Sequence, residues 1–223
     1  MSLRASFFAM TYDRQIAKTE EAGLRAFRQR LLAGATGQVI EIGGGTGANL
    51  PCYGPAVESL TVTEPMVPMI RRLERRIQDD GYNAKVLRAP AEDLPFDDDA
   101  FDTAVSTLVL CGVDDQPRAL RELRRVLRPG GRLLFLEHLR SRDPDTARMQ
   151  DRMNWLNRLV VCCDCNRPTL DSIARAGFTV GDVEDTELPK APPFARPTVL
   201  GSATAPVAEA PDHARPAASS GAS

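Results

Sequence analysis

The sequence predicts an α/β fold, in which helices cover both faces of a doubly wound, mostly parallel sheet. Short apolar runs alternate with stretches of helical periodicity from residue 36 onward, as is typical of parallel sheets. A glycine-rich turn at residues 43–47 follows the first apolar run, where such folds commonly bind a ligand. With 223 residues, 43% of them hydrophobic and 26% charged, the chain is long enough for one globular core.

The individual elements follow from local residue patterns. Apolar runs bounded by turn residues predict strands at residues 38–42, 59–64, 85–89, 101–107 and 131–137. Apolar residues at helical spacing predict helices at residues 47–53, 66–79 and 117–127. Farther along the chain, the same criteria predict helices at 144–161 and 169–176 and strands at 178–184 and 197–203.

Two terminal segments differ from this alternating domain, which is predicted to span residues 36–203. Residues 14–32 carry an amphipathic helical pattern, so residues 1–35 are predicted to form an N-terminal helical cap. The final segment, residues 204–223, is rich in alanine, proline and serine and has too little apolar surface to bury. It is expected to be disordered.

Residues 144–165 follow the fifth strand and are predicted to form a lid. Met149, Met153, Leu156 and Val160 share one face of the predicted helix. That face could line an apolar pocket together with Trp155, or it could simply pack on the sheet.

Composition excludes several classes of partner. A net charge of −2 gives no electrostatic basis for binding nucleic acid or an anionic membrane surface. No apolar stretch approaches the ~20 residues that span a bilayer, and the N-terminus lacks a signal-peptide pattern. The five cysteines and two histidines lack the spacing of a metal site, and reduced thiols agree with a cytoplasmic location. Nothing here predicts an oligomeric state.

The turn EIGGGTG carries the strongest indication of function. Gly43, Gly45 and Gly47 would let a ligand approach backbone N–H groups that a Cβ would block. Glu41, at the end of the first strand, is expected to point a carboxylate into the same crevice, where it would repel phosphate and favour a cation. S-adenosyl-L-methionine fits this requirement, because it offers a sulfonium, an ammonium and a ribose.

A dinucleotide site is the main alternative from these residues. The spacing Gly43-x-Gly45-x-x-Ala48 also satisfies the loose dinucleotide fingerprint, and Glu64 follows Gly45 by 19 residues, as a ribose-binding acid would. Two later segments favour the methyl donor: a fourth strand that runs into an apolar loop (DTAVSTLVL), and LRPGG before the fifth strand.

Taken together, the motifs EIGGGTGAN, PAEDLPF and LRPGG, with Glu64, resemble the class I S-adenosylmethionine-dependent methyltransferases over residues 36–203. The resemblance implies a Rossmann-like fold whose last strand is antiparallel. Within that superfamily, the chain is similar to the ubiquinone/menaquinone-biosynthesis branch. The segments STLVLCGV, FLEHL and Asp164-Cys165-Asn166 are more similar to thiol methyltransferases.

The resemblance implies a small, largely apolar acceptor. Thiol S-methylation is the first expectation, and C- or O-methylation of a quinone- or polyketide-like ring is the second. A non-catalytic domain that keeps the cofactor fold as a binding module is an alternative from another class, although the intact glycine turn and Glu64 argue against it.

The expected cofactor contacts beyond the glycine turn come from three segments. Glu64 is assigned to the ribose hydroxyls, and Pro65 and Met66 to the same site, with Met66 against one face of adenine. Pro90 stands where many relatives have an aspartate that binds the adenine amino group. Adenine recognition is therefore assigned to Ala91 and Glu92.

The methionine end of the cofactor is expected near the end of the fourth strand. The backbone of Thr107 and Leu108 should face it, and the resemblance implies that Tyr12 forms an aromatic lid, although a core tyrosine is equally compatible. His138, just past the fifth strand, is the candidate general base, with a structural histidine as the alternative. A thiol acceptor could react without a dedicated base, because thiolates are strong nucleophiles.

Overall fold

The computed structural model describes residues 16–207, and seven strands of that part of the chain form a single sheet. The strands are β1 (Gly37–Ile42), β2 (Val57–Thr63), β3 (Lys85–Leu87), β4 (Phe101–Thr107), β5 (Leu127–His138), β6 (Thr179–Glu187) and β7 (Pro197–Thr204). Their order is β3-β2-β1-β4-β5-β7-β6. The first five are parallel, whereas β7 runs antiparallel to both neighbours. The predicted fold class is confirmed.

Five α-helices precede or connect these strands within the described residues. They are α1 (Arg25–Leu32), α2 (Val67–Asp80), α3 (Gln116–Val126), α4 (Pro144–Val161) and α5 (Thr169–Arg175). Helical residues from position 16 precede α1, with a break at Gly23, where φ is 141°. Across residues 16–207, no helix is both long enough and apolar enough to cross a membrane.

The predicted helix over residues 47–53 is wrong. The chain forms turns there, and only Leu50–Cys52 reaches a short 3-10 helix. Gly47 has a φ of 85°, which interrupts a right-handed helix, and Pro51 cannot donate a backbone hydrogen bond. The segment therefore stays close to the glycine turn.

The core lies on both faces of the sheet. On one face, side chains such as Leu120 and Leu123 of α3 pack against Ile40, Ile42 and Phe135. The opposite face carries α1 and α2, whose buried leucines pack against β1, β2 and β4. In the sheet, β1 lies between β2 and β4. From β1 the chain builds outward to β2 and β3 on one side and then returns to β4 on the other, so the strand order reverses between β1 and β4. A ligand crevice is expected at the carboxyl ends of these strands.

The last strand extends beyond the start of the segment predicted to be disordered, since β7 spans Pro197–Thr204. Thr204 still pairs with Arg132 of β5, and the backbone N–H of Ala205 donates to the carbonyl of Gly131 at 2.8 Å. Ala205 is buried, so ordered packing against β5 continues into the segment predicted to be disordered. Residues 208–223 lie outside the described part of the chain.

Candidate active site

A cleft of about 320 Å³ lies against the glycine turn and the residues that follow β2 and β4. Eight predicted cofactor residues line it: Gly43, Gly45, Glu64, Pro65, Met66, Ala91, Glu92 and Leu108. The wall is completed by residues that sequence reasoning did not assign to the cofactor: Met69, Pro90, Val109, Gly112, Val113, Asp114, Val161 and Cys162. The last two lie at the end of α4, so the predicted lid segment does contribute to the cleft.

The glycines of the turn have different structural roles. A Cβ on Gly44 would stand 2.1 Å from a methyl carbon of Val62, and one on Gly43 would meet Val109 at 2.7 Å. Gly45 has a φ of 55°, yet nothing lies within 4 Å of the position of its Cβ. Gly44 is thus required by packing, whereas Gly45 borders open space in the cleft. A cofactor can use that space only if no side chain fills it.

The Glu64 carboxylate is held in the cleft wall by hydrogen bonds from two backbone N–H groups. One carboxylate oxygen accepts the N–H of Gly45 at 3.0 Å, and the other accepts the N–H of Met66 at 2.8 Å. Burial raises the pKa of Glu64, while these two N–H groups oppose that shift. A carboxylate can accept about four hydrogen bonds, so capacity remains for two ribose hydroxyls. The residue is therefore both a ligand candidate and an anchor for the glycine turn.

Glu92 holds the loop that forms the opposite wall. Its Oε1 accepts the backbone N–H groups of Asp114 at 2.8 Å and Asp115 at 3.2 Å. This places the segment after β3 against the start of α3. Ala91 is buried beside it.

Glu41 does not line the cleft, although the sequence predicted that its carboxylate would point there. The carboxylate is buried and accepts hydrogen bonds from the Tyr53 hydroxyl at 2.7 Å and from the Asn49 amide at 2.9 Å. Burial raises the pKa of Glu41, and these two bonds oppose the shift. In this arrangement Glu41 braces the segment that follows the glycine turn.

Arg28 of α1 joins the cap to the same network. Its guanidinium is buried and donates to the Asn49 carbonyl oxygen at 2.8 Å and to the Thr107 hydroxyl at 2.9 Å. It also pairs with Glu20 at 3.0 Å. Thr107 therefore accepts from the cap instead of lining the cleft. Arg28 lies four residues after Leu24 and four before Leu32, and this cation at an apolar position of the cap is the sequence signal for the contact.

Gly47, Tyr12 and His138 differ in their relation to the cleft. Gly47 does not line the cleft. A Cβ on Gly47 would meet Leu50 and Leu73 within 3 Å, so packing requires a glycine at this position. Tyr12 lies outside the described residues. The His138 ring is buried behind the cleft wall against Cys163, and it could reach a proton in the cleft only through intervening groups.

The predicted apolar face of α4 is only partly turned inward. The most buried polar side chains of the helix are amides: Gln150 is fully buried, and Asn157 is nearly so. Of the predicted face, Met153 and Leu156 are half-buried, whereas Met149 and Val160 are exposed, as is Trp155 at 66%. Only the end of the helix, at Val161, reaches the cleft, so the predicted apolar pocket wall along this face is wrong.

The inward amides hold irregular backbone. Gln150 accepts the N–H of Ser141 at 2.8 Å and donates to the carbonyls of Leu139 at 3.0 Å and Cys165 at 2.7 Å. Asn157 donates to the carbonyl of Cys163 at 2.7 Å. These loop groups have no strand partner, so the helix satisfies them with side chains.

Replacing Gln150 by leucine should lower the free energy of unfolding by about 2–4 kcal/mol, because three backbone groups would lose their partner. In thermal denaturation, this corresponds to a decrease in Tm of roughly 5–12 °C for a chain of this size. Arg152→Leu, an exposed change on the same helix, is the matched control and should shift stability by less than about 0.5 kcal/mol. Equal shifts in both variants would contradict the role of the inward amide.

Comparisons with known proteins support the assignment of this cleft as the cofactor site of a methyltransferase. A methyltransferase domain family matches residues 40–135. Mouse thiol S-methyltransferase TMT1B is 31% identical over 187 residues, which cover 80% of this chain and 76% of that protein. Human TMT1B is 34% identical over 156 residues, and the chain spans 63% of its length. The ubiquinone/menaquinone biosynthesis C-methyltransferase UbiE of Hahella chejuensis is 37% identical over 53% of this chain and 49% of that protein.

Solved structures show the same fold. A SAM-dependent methyltransferase from Thermotoga maritima superposes with a TM-score of 0.67 at 23% identity, covering 90% of this chain and 97% of that one. The cleft, the glycine turn and these relatives define an enzyme that binds S-adenosylmethionine. The chain belongs to the class I S-adenosylmethionine-dependent methyltransferases. This sets aside the dinucleotide-dependent and non-catalytic alternatives.

Proposed function

We propose that this enzyme transfers the methyl group of S-adenosylmethionine to the sulfur of a small, largely apolar thiol. The observation that carries the proposal is the kind of side chain on the cleft wall. Leu108, Val109 and Val113 are apolar, and the carboxylates of Glu64 and Glu92 are engaged by backbone N–H groups. An acceptor that brings its own nucleophile, such as a thiolate, suits this wall.

Within the proposed reaction, the protein's residues act by binding and positioning. When bound, the cofactor supplies an electrophilic methyl group, which the acceptor's sulfur takes as the demethylated cofactor leaves. Glu64 holds the ribose, and Gly45 leaves room for the cofactor beside the turn. Leu108 and Val109 exclude water from the reacting atoms, which favours in-line attack by a correctly placed sulfur.

Two further features support a thiol acceptor. The relatives TMT1B of human and mouse are named as thiol S-methyltransferases and share 31–34% identity with the chain. The two other ionisable side chains on the wall, Asp114 and Cys162, are exposed to solvent. Methylation of a ring carbon in a quinol is the second candidate, and it is supported by the 37% identity with UbiE over about half of the chain.

The rate at subsaturating thiol should rise about tenfold per pH unit below the acceptor's own pKa and level off above it, since the thiolate is the nucleophile. We expect the midpoint to move with the acceptor when an aliphatic thiol replaces a more acidic aromatic thiol. Measuring labelled methyl transfer to both acceptors across pH 6–10 checks this.

A His138 variant tests whether the acceptor needs a base from the protein. His138→Ala should leave the position of the midpoint nearly unchanged if the acceptor ionises in solution. Loss of transfer with cofactor binding intact would instead make His138 a base that acts through intervening groups, and would favour a base-dependent acceptor. Product from quinols or phenols, with none from several apolar thiols, would exclude the thiol proposal.

A further inference from the structure

One loop forms much of the apolar wall of the cleft. It follows β4 and spans residues 108–113, and its side chains Leu108, Val109 and Val113 line the cleft. Val109 also packs over the glycine turn, because a Cβ on Gly43 would meet this side chain at 2.7 Å. The position of the loop therefore affects both the apolar wall and the turn that the cofactor approaches.

The loop begins with a backbone conformation that residues with a Cβ seldom adopt. Leu108 has a φ of 59°, which lies in the left-handed region. This conformation is unfavourable for leucine, so neighbouring contacts must hold it. One such contact is the N–H of Leu108, which donates to the carbonyl of Leu136 at 2.8 Å. Further contacts come from side chains behind the loop.

The carboxylate of Glu137 binds the N–H groups at the start of the loop. Glu137 lies on β5 and is fully buried. Its Oε1 accepts the N–H of Val109 at 2.9 Å, the N–H of Leu110 at 3.1 Å and the hydroxyl of Ser106 at 2.6 Å. Its Oε2 is buried and has no hydrogen-bond partner within residues 16–207. Burying a carboxylate with one unpaired oxygen opposes folding, so stability alone does not account for an acid at this position.

A guanidinium binds the carbonyl groups of the same loop. Arg167 lies between α4 and α5 and donates to the carbonyl of Leu110 at 3.0 Å and to that of Val113 at 2.8 Å. The same guanidinium donates to the carboxylate of Asp164 at 2.7 Å, which fixes its orientation. Leu110 is therefore held from two sides, with its N–H on Glu137 and its carbonyl on Arg167.

We infer that Glu137 and Arg167 are positioning residues of this methyltransferase, which hold the loop at residues 108–113 in the conformation that the cofactor cleft requires. Neither side chain lines the cleft, so both act through the backbone of the loop. The inference rests on the cofactor cleft and on no particular methyl acceptor, so its test needs only cofactor binding.

Replacing Glu137 by methionine should lower the affinity for S-adenosylhomocysteine about tenfold. Methionine has a similar length but offers no oxygen to the two N–H groups of the loop. Leu108 can then relax to a common backbone conformation, which moves the wall away from the position that fits the cofactor. Arg167→Met should also weaken binding, because it releases the two carbonyls of the loop. Isothermal titration calorimetry measures both affinities.

Two conservative variants separate the hydrogen bonds to the loop from the rest of the site. Glu137→Gln keeps an acceptor oxygen for the N–H groups of Val109 and Leu110, so its affinity should return to within about threefold of the unmodified enzyme. Ser106→Ala removes only the hydroxyl donor on β4 and should change the affinity by less than about twofold. Binding by Glu137→Gln as weak as by Glu137→Met would contradict the assigned contacts.

Gln150→Leu is the control for a general loss of stability. Like Glu137→Met, it removes the partner of three polar groups, so a comparable decrease in Tm is expected, but with normal affinity. Hydrogen exchange, followed by mass spectrometry, should be faster at residues 108–113 in Glu137→Met and unchanged there in Gln150→Leu.

Three results would overturn the inference: normal affinity in a folded Glu137→Met enzyme, unchanged exchange at residues 108–113 in that enzyme, or an equal loss of affinity in Gln150→Leu. If Glu137→Met does not fold, Arg167→Met is compared with Gln150→Leu by the same two measurements, and the same results decide.

Discussion

Replacing Glu64 by alanine should lower the affinity for S-adenosylhomocysteine about a hundred- to a thousandfold. Two hydrogen bonds from ribose hydroxyls to a charged carboxylate represent roughly 3–5 kcal/mol. The loss also includes the anchor of the glycine turn, because the same carboxylate accepts the N–H of Gly45. Isothermal titration calorimetry measures the affinity, and circular dichroism shows whether the fold is kept.

The control for Glu64 is an acid on β2, the strand that precedes it. Glu58 of β2 is exposed, and Glu58→Ala should leave the affinity unchanged. Glu64→Gln keeps one acceptor oxygen and should bind at an intermediate level. A decrease smaller than about fivefold in a folded Glu64→Ala enzyme would remove this residue from the cofactor site.

Replacing Gly45 by valine should weaken cofactor binding by about a hundredfold or more. The added side chain would fill the open space beside the turn and block hydrogen bonds to the backbone worth ~2–3 kcal/mol. Because Gly45 has a positive φ of 55°, valine there should lower the free energy of unfolding by about 1–2 kcal/mol. That is a small part of the stability of a typical domain, so the variant should still fold. The same titration, with Tm recorded in parallel, separates binding from folding.

Gly81 offers a matched control for this change. It ends α2 with a φ of 73°, and nothing lies within 4 Å of the position of its Cβ. Gly81→Val therefore carries a similar backbone cost at a site away from the cleft. We expect comparable decreases in Tm for the two variants but normal affinity for Gly81→Val. Normal affinity in both would show that the cofactor does not approach Gly45.

Most of the fold could be predicted because its signals are local. Apolar runs gave all seven strands, and β4 was predicted with the bounds it has, Phe101–Thr107. The failure at residues 47–53 arose where glycine conformation overrode an apparent helical period. The α4 orientation could not be predicted from hydrophobic spacing, since its buried amides bind carbonyls of the flanking loops, such as that of Leu139.

The cofactor site was predicted where the backbone alone positions a residue. Gly45, Glu64 and Leu108 follow directly from strand ends, and they line the cleft. Glu41 and Thr107 also lie at strand ends, yet their side chains are engaged by Asn49 and by Arg28 of the cap. Such long-range polar contacts leave no periodic pattern, and a sequence read alone cannot assign them.

The orientation of α4 has a thermodynamic consequence. Most hydrophobic contacts in the enzyme weaken on cooling, and they yield to urea in proportion to the apolar surface that opening exposes. The α4 helix instead docks through amides, while Trp155 and Val160 are already in water. Its detachment therefore exposes little new apolar surface and carries a small heat-capacity change. This wall of the cleft can open by local fluctuation at a cost that varies little with temperature or denaturant, while the sheet behind it remains folded.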